Sequence, residues 1–454
     1  MTNDLTNGRP SRLIISFSLP LLIGNIFQQL YSMVDAVIVG RTISVQALAA
    51  VGATGAISFL VIGFVQGLTG GFSVITAQRF GANDENGVRR SIATSVILSI
   101  ITTIAITVLS VMTTMPLLKL MNTPHDIIAQ AYDYIIVIYY GIAAAVFYNL
   151  ISSIIRALGD SRTPLLFLIL ASVLNVILDF VFILGFHMNV EGAAWATVIS
   201  QGISGILCLV YALWKMPVIR LHRPDWRTDW SFSWAHLRVG MPMAFQFSIT
   251  AIGVMVIQGA LNTFGSVKVA AFTAASKIHQ LAVQPLNSLG ITMATYAAQN
   301  FGAGKIERVR IGVRKSTRLA LLFSIAGAAL VMIFGRFFVR LFVGGADTAV
   351  IEDAQIYLNI AALFYFALGM LFIYRNTLQG MGLGLVPMMA GVWEVVMRVI
   401  AAFVLAGTLG YTGVCLADPV AWVGATVWLL IFYFYTMHKL LPHHRKKKVK
   451  YDRI

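Results

Sequence analysis

Charged side chains fall inside several long apolar runs of this sequence, among them Asp35 in "YSMVDAVIVG", Asp179 in "LNVILDFVF", Lys277 in "SKIHQ", and Glu394 and Arg398 in "WEVVMR". A charge at the centre of a bilayer costs ~2.5 to 3.5 kcal/mol on insertion scales, so each is a candidate for function. Asn175 and Asp179 are four residues apart and therefore share one face of a helix. At ~1.5 Å of rise per residue, Asp35 lies ~9 Å from Arg41 and Asp179 lies ~25 Å from Arg162, which puts both acids in the outer half of the membrane. If their segments are neighbours, two carboxylates and a carboxamide meet at one depth. Two close carboxylates in a low dielectric cannot both ionise cheaply, so one should keep a proton. The hard oxygen ligands Asp35, Asn175 and Asp179, with no thiol or imidazole among them, would equally suit sodium.

The other charged candidates have plainer explanations. Glu394 and Arg398 are spaced i,i+4 and read as a pair that neutralises itself, with gating or substrate contact as the alternative. Lys277 suits a side chain that snorkels to the interface. Asn25, Gln28, Tyr31 and Asn149 are candidates for a cavity lining or for hydrogen bonds between helices.

The elements that must position these groups are apolar helices. The chain has 454 residues, of which 58% are hydrophobic and 11% charged, with a mean hydropathy of +0.82; soluble domains carry about 25% charged residues. The apolar runs reach the ~20 residues needed to cross the hydrocarbon, and about twelve of them can be drawn between residues 13 and 438. With the N-terminus in the cytoplasm, the even-numbered loops and both tails hold about 26 Lys and Arg, in groups of 2, 3, 2, 5, 6, 1 and 7, and the opposite loops about five. The single residue in the loop after the tenth run is Arg375. Both termini are thus expected in the cytoplasm of a multi-pass cell-membrane protein, and the formal charge of +15 needs no nucleic-acid partner. The bilayer itself is the partner expected of such a surface.

The runs repeat. "AQRFGANDENGVRRS" at 77–91 and "AQNFGAGKIERVRIG" at 298–312 align with an offset of 221 that pairs Phe80 with Phe301 and Arg89 with Arg310. Pro20 matches Pro242 at 222, and "RALGDSRTP" at 156–164 matches "QGMGLGLVP" at 379–387 at 223. The fold class is therefore an all-α membrane protein of twelve transmembrane helices in two parallel-repeat six-helix bundles. The expected divisions are an N-terminal bundle at 1–214, a cytoplasmic linker at 215–238, a C-terminal bundle at 239–438 and a basic cytoplasmic tail at 439–454. These offsets set Ile257 opposite Asp35, Arg398 opposite Asn175 and Ala402 opposite Asp179, so the acids of the first half have no acidic counterpart in the second.

Several chemistries are excluded. "GAGKI" at 302–306 lacks the spacing and hydroxyl of a phosphate-cradling loop, and neither H-E-x-x-H nor G-x-S-x-G occurs. Cys208 and Cys415 sit in or beside apolar runs and indicate neither a disulfide framework nor a metal cluster. Residues 1–12 lack the apolar core of a signal peptide, so the first run is expected to remain.

At Pro20 and "VDAVIVGR", "AQRFGA", "RALGD", "LNVILD", "GAAWATVISQ" and the second "AQNFGA", the chain resembles the multidrug and toxic compound extrusion (MATE) family over nearly its whole length. The resemblance implies twelve spans in two lobes and export of amphipathic, often cationic organic compounds in exchange for protons or sodium. It places a cation-coupling site at Asp35, Asn175 and Asp179, adds Thr197 as an oxygen ligand, and makes Pro20 the point where the first helix bends. Acids that another branch carries in spans seven and ten are missing, with Gln246 and Gln258 in span seven instead. The expected protein is a non-enzyme, without cofactor, coupled to H+ or Na+ and working as a monomer on small molecules. The alternative is a flippase or exporter of a lipid-linked precursor or another endogenous metabolite.

Overall fold

A computed structural model describes residues 4–121, 123–343 and 348–451, and these are helical almost throughout. The helices are α1 (Pro10–Thr42), α2 (Val45–Gly81), α3 (Glu85–Leu120), α4 (Ile128–Tyr140), α5 (Ile142–Ala157), α6 (Arg162–Phe180), α7 (Val190–Lys215), α8 (Trp230–Asn262), α9 (Ser266–Ala282), α10 (Gln284–Gly302), α11 (Ile306–Val343), α12 (Thr348–Leu363), α13 (Tyr365–Gly380), α14 (Leu385–Ile400), α15 (Ala406–Leu409) and α16 (Tyr411–Tyr451). Among the described residues nine helical segments are long and apolar enough to cross a membrane, and two bent pairs bring the number to eleven. The remaining expected run lies between α8 and α11 and is carried by the two shorter helices α9 and α10. Residues 452–454 of the basic tail, and the side chains from Pro442 on, lie outside the described residues.

Three of the expected runs are not single straight helices. α4 and α5 meet at 49° about Gly141, and α12 and α13 meet at 52° beside Phe364. Hydropathy reports burial, not direction, so neither bend was drawn from the sequence. Gly141 has a steric reason: a Cβ there would fall 2.1 Å from Val198 Cγ2 on α7. The third interruption, between α9 and α10 at Val283, falls two residues before Pro285, which has no N–H to continue the ladder.

The repeat survives in backbone detail. The loop after α2 turns through Asn83 at φ 56°, and the loop after α10 turns through Gly304 at φ 69°, again 221 residues apart. Each is closed by the same bonds, Asn83 N–H to Phe80 O and Gly304 N–H to Phe301 O, both at 3.0 Å. Gly159 and Gly382, 223 apart, take φ of 85° and 86° in the two "G-x-x-x-x-P" turns. α6 and α14 each run into one π turn, Val181–Gly185 and Ala401–Leu405. The break at Val283 is the exception, since α2 runs through the matching stretch, where Phe64 stands in place of Pro285.

The chain forms two compact units. One contains Ile23–Ser248, and the other contains Leu5–Leu22 with the chain from Ile249 onward. The opening turns of α1 therefore belong with the second unit and the first half of α8 with the first, an exchange that divisions at 214 and 239 do not express. In the first unit α2 lies so close to α8 that a Cβ on Gly71 would fall 2.4 Å from Gly240 Cα. Its core is built from Ile135, Tyr139 and Ile142 at the α4–α5 bend and Ile155 and Leu158 below it, all fully buried. In the second unit Tyr296, Tyr357 and Tyr365 are the largest fully buried side chains among the described residues.

Candidate functional site

Within the first unit four helices bring polar side chains to one place. α1 supplies Tyr31 and Asp35, four residues apart on one face, and α6 supplies Asn175 and Asp179 with the same spacing. α7 contributes Thr197 and α4 contributes Tyr134. The Asp35 and Asp179 carboxyl groups lie within interaction range of each other, and the Tyr31 and Tyr134 hydroxyls are within electrostatic reach of both. Asp179 is fully buried, Asn175 is 1% exposed and Asp35 is half-buried. Ile38, Val39, Ile183, Val190 and Ala193 pack around this end of the unit and keep it apolar.

The hydrogen bonds define what the cluster lacks. Asn175 Nδ2 donates to Thr197 Oγ1 at 3.3 Å, and Thr197 Oγ1 donates to Ala193 O at 3.1 Å. That orientation leaves Asn175 Oδ1 without a donor. Asp35 Oδ1 and both carboxylate oxygens of Asp179 are likewise buried and without one. Among the described residues no Lys, Arg or His pairs with either acid. Four buried oxygen acceptors therefore share a site with no protein donor for them. Leaving such groups unmet costs about 1 to 3 kcal/mol each, more when charged, so the arrangement calls for a proton or another small cation.

Tyr134 was not singled out in the sequence because "YDYIIV" reads as ordinary aromatic packing. Among the other candidates, Asn149 spends its amide N–H on Ala145 O of its own helix at 2.8 Å. Gln28 is exposed and Asn25 half-buried. Pro20 is buried in the portion of α1 that belongs to the second unit, and α1 runs through it without a break in helical assignment. Its missing N–H leaves Ser16 O, four residues earlier, without its helical donor.

The second unit presents a different cluster at the corresponding place. Glu394 and Arg398 on α14 do touch, at 3.7 Å, but they are not a self-contained pair. Glu394 pairs directly with Arg375 of α13, and Arg398 Nε donates to Asp418 Oδ1 of α16 at 2.8 Å. Arg375, counted from the sequence as a loop residue, is 7% exposed within α13. Arg375 and Asp418 escaped notice because each falls where an apolar run was drawn to end or begin. Arg398 occupies the position of Asn175, so the two units fill one repeat position with opposite chemistry: orphaned carboxyl and carboxamide oxygens in the first, and ion-paired guanidinium groups in the second, where Arg375 Nε and one terminal nitrogen of Arg398 are still without a partner. Lys277 is exposed. Lys268, outside the expected candidates, pairs with Asp353 and sits 4.9 Å from the Tyr411 ring.

Known proteins can be set beside this geometry. The family model described as MatE matches residues 20–181 and again residues 242–404, two copies whose starts are 222 residues apart. The chain belongs to the MatE family. The likeness extends over whole chains. A probable multidrug resistance protein of Bacillus subtilis, YpnP, is 29% identical over 379 residues, covering 84% of each chain. A second from the same organism, YoeA, is 27% identical over 429 residues and 92% of each chain. A solved structure described as the outward-facing conformation of a multidrug resistance MATE family transporter of the MOP superfamily superposes with a TM-score of 0.90 at 25% identity, over 96% of this chain and 98% of that one. As a MatE-family member the chain is a multi-pass membrane transporter and not an enzyme.

Proposed function

We propose that this MatE-family protein exports amphipathic, often cationic organic compounds across the cell membrane in exchange for a proton or a sodium ion bound between Asp35 and Asp179. One observation carries the reading: the four buried acceptor oxygens of Asp35, Asn175 and Asp179 face no protein donor. With both carboxylates ionised the site holds two negative charges in an apolar surround. Binding one cation removes one of them and relieves repulsion between α1 and α6. If outward-open and inward-open states differ in how α1 packs on α6, the ion favours one of them by its differential affinity, which is all that coupling requires. Tyr31, Tyr134 and Thr197 would then orient the carboxyl groups or complete the oxygen shell. Lys and Arg fall mainly in the even-numbered loops, which supports cytoplasmic termini.

The multidrug names of the relatives support the substrate class. A lipid-linked precursor with an anionic headgroup would need unengaged cations in the spans. Here Arg375 and Arg398 are already committed to Glu394 and Asp418, which leaves Lys277 as the one sequence-predicted cation of the spans without a carboxylate among the described residues. The deciding experiment follows ethidium export in proteoliposomes under separately imposed pH and sodium gradients. One gradient is expected to drive it, and Asp35→Asn and Asp179→Asn should each lower the rate at least roughly tenfold, the loss expected for about 1.4 kcal/mol or more of coupling. Full export by both folded variants would sink the reading.

A further inference from the structure

Between α7 and α8 the chain makes two short 3-10 turns, Pro217–Ile219 and Arg223–Trp226, before entering α8 at Trp230. Both acids of this linker are engaged by arginines of α3. Asp225 pairs with Arg89 at 3.5 Å and Asp229 with Arg90 at 2.7 Å, both on α3. Arg90 also donates to Arg227 O at 3.2 Å and lies 4.7 Å from the Phe232 ring, and Thr94 bonds Thr228 at 3.0 Å. The linker is thus pinned to the start of α3 through its anionic side.

What remains outward is cationic and aromatic. Lys215, Arg220, Arg223, Arg227 and Arg238 are exposed, and among the described residues none has a carboxylate partner. Beside them stand four exposed tryptophans, Trp214 at 68%, Trp226 at 45%, Trp230 at 73% and Trp234 at 54%. Trp230 and Trp234, one turn apart on α8, stack at 6.0 Å, and Lys215 Nζ sits 4.0 Å from the Trp214 ring. α7 and α8 both span the membrane, so the linker that joins them must lie at the membrane surface. Tryptophan settles in the interfacial layer of a bilayer, where its ring is shielded and its N–H stays wet. Unpaired Arg and Lys at the same level meet lipid phosphates.

From this placement we infer that residues 214–238 form a binding surface for anionic phospholipid headgroups: Arg220, Arg223 and Arg227 take the negative groups while the four tryptophans sit among the glycerol and upper acyl segments. A neutral lipid fills the apolar part equally well, but only an anionic headgroup answers the excess positive charge. The inference concerns the bilayer and holds whatever compound is transported.

The test uses the full chain in vesicles of phosphatidylcholine mixed with phosphatidylglycerol, with bromine placed on the chains of one lipid or the other. For the parent protein, tryptophan quenching by brominated phosphatidylglycerol should exceed that by brominated phosphatidylcholine at equal mole fraction. Arg220→Gln/Arg223→Gln/Arg227→Gln should lower that preference at least roughly tenfold, since each basic side chain near such a surface contributes severalfold, while quenching by the neutral lipid persists. Arg220 Nε also bonds Leu213 O at 2.9 Å, so Arg223→Gln/Arg227→Gln gives a second variant free of that contact. Trp230→Phe/Trp234→Phe should reduce the quenched signal from both lipids. Equal quenching by the two lipids in the parent, or a preference unchanged in both arginine variants, overturns the inference.

Discussion

At the scale of single residues, two buried clusters differ in what they lack. Asp179 has two carboxylate oxygens with no donor. Asp179→Asn removes a charge that nothing in the protein answers, so the variant should unfold at the same temperature as its parent or higher, read by thermal unfolding in detergent without sodium. Glu394 is the opposite case, because it answers both Arg375 and Arg398. Glu394→Gln strands buried guanidinium charge and should cost roughly 3 to 5 kcal/mol, visible in the same measurement as a clear fall. The same response from both variants would erase the distinction between a site and a structural network. The sequence made Asp35, Asn175 and Asp179 legible because acids are rare in apolar runs. It left Arg375 and Asp418 unread because a charge at the edge of such a run looks like loop, and Tyr134 because an aromatic in a span looks like packing.

At the scale of elements, the bend at Gly141 and the turn at Asn83 are held by local sterics. Gly141→Ala would drive a methyl into Val198 of α7 and should destabilise by roughly 1 to 3 kcal/mol, whereas Gly202→Ala meets nothing nearer than Ala144 Cβ at 3.7 Å and should be silent. Asn83 at φ 56° corresponds to Gly304, so Asn83→Gly should be tolerated and Asn83→Val should not, with the difference showing in unfolding temperature. The linker adds a pH dependence. The Phe232 N–H, followed by Arg90 and Ser231, holds the exposed Asp229 carboxyl below the usual aspartate range. The contribution of this group to docking the linker on α3 is therefore complete above that range and is lost as pH falls through the lowered value. Hydrogen exchange of residues 225–232 should rise on acidification in the parent and be high at every pH in Asp229→Asn. Helix number and the turns between repeats were legible because apolar length and glycine spacing are written in the chain. The two bends were not, because a change of axis leaves hydropathy unchanged, and Pro285 alone marked the break that it causes.

At the scale of the whole molecule, the duplication explains both the symmetry of the backbone and the asymmetry of its chemistry. One repeat position holds Asn175 in an oxygen-rich, donor-poor cluster and Arg398 in an ion-paired one. The proposed function puts the ion site in the first unit and gives the ion-pair network of the second a structural role. Charge changes in the second unit should accordingly alter stability before they alter the driving ion. The preference for a pH or a sodium gradient in Glu394→Gln vesicles that still transport should match the parent. The most direct measurement is ion binding to the purified protein, following proton uptake and sodium uptake in competition for the parent, Asp35→Asn and Asp179→Asn. The account predicts a cation site in the parent at which H+ and Na+, if both bind, exclude one another, and its loss in each variant. Undiminished uptake in both variants would contradict it.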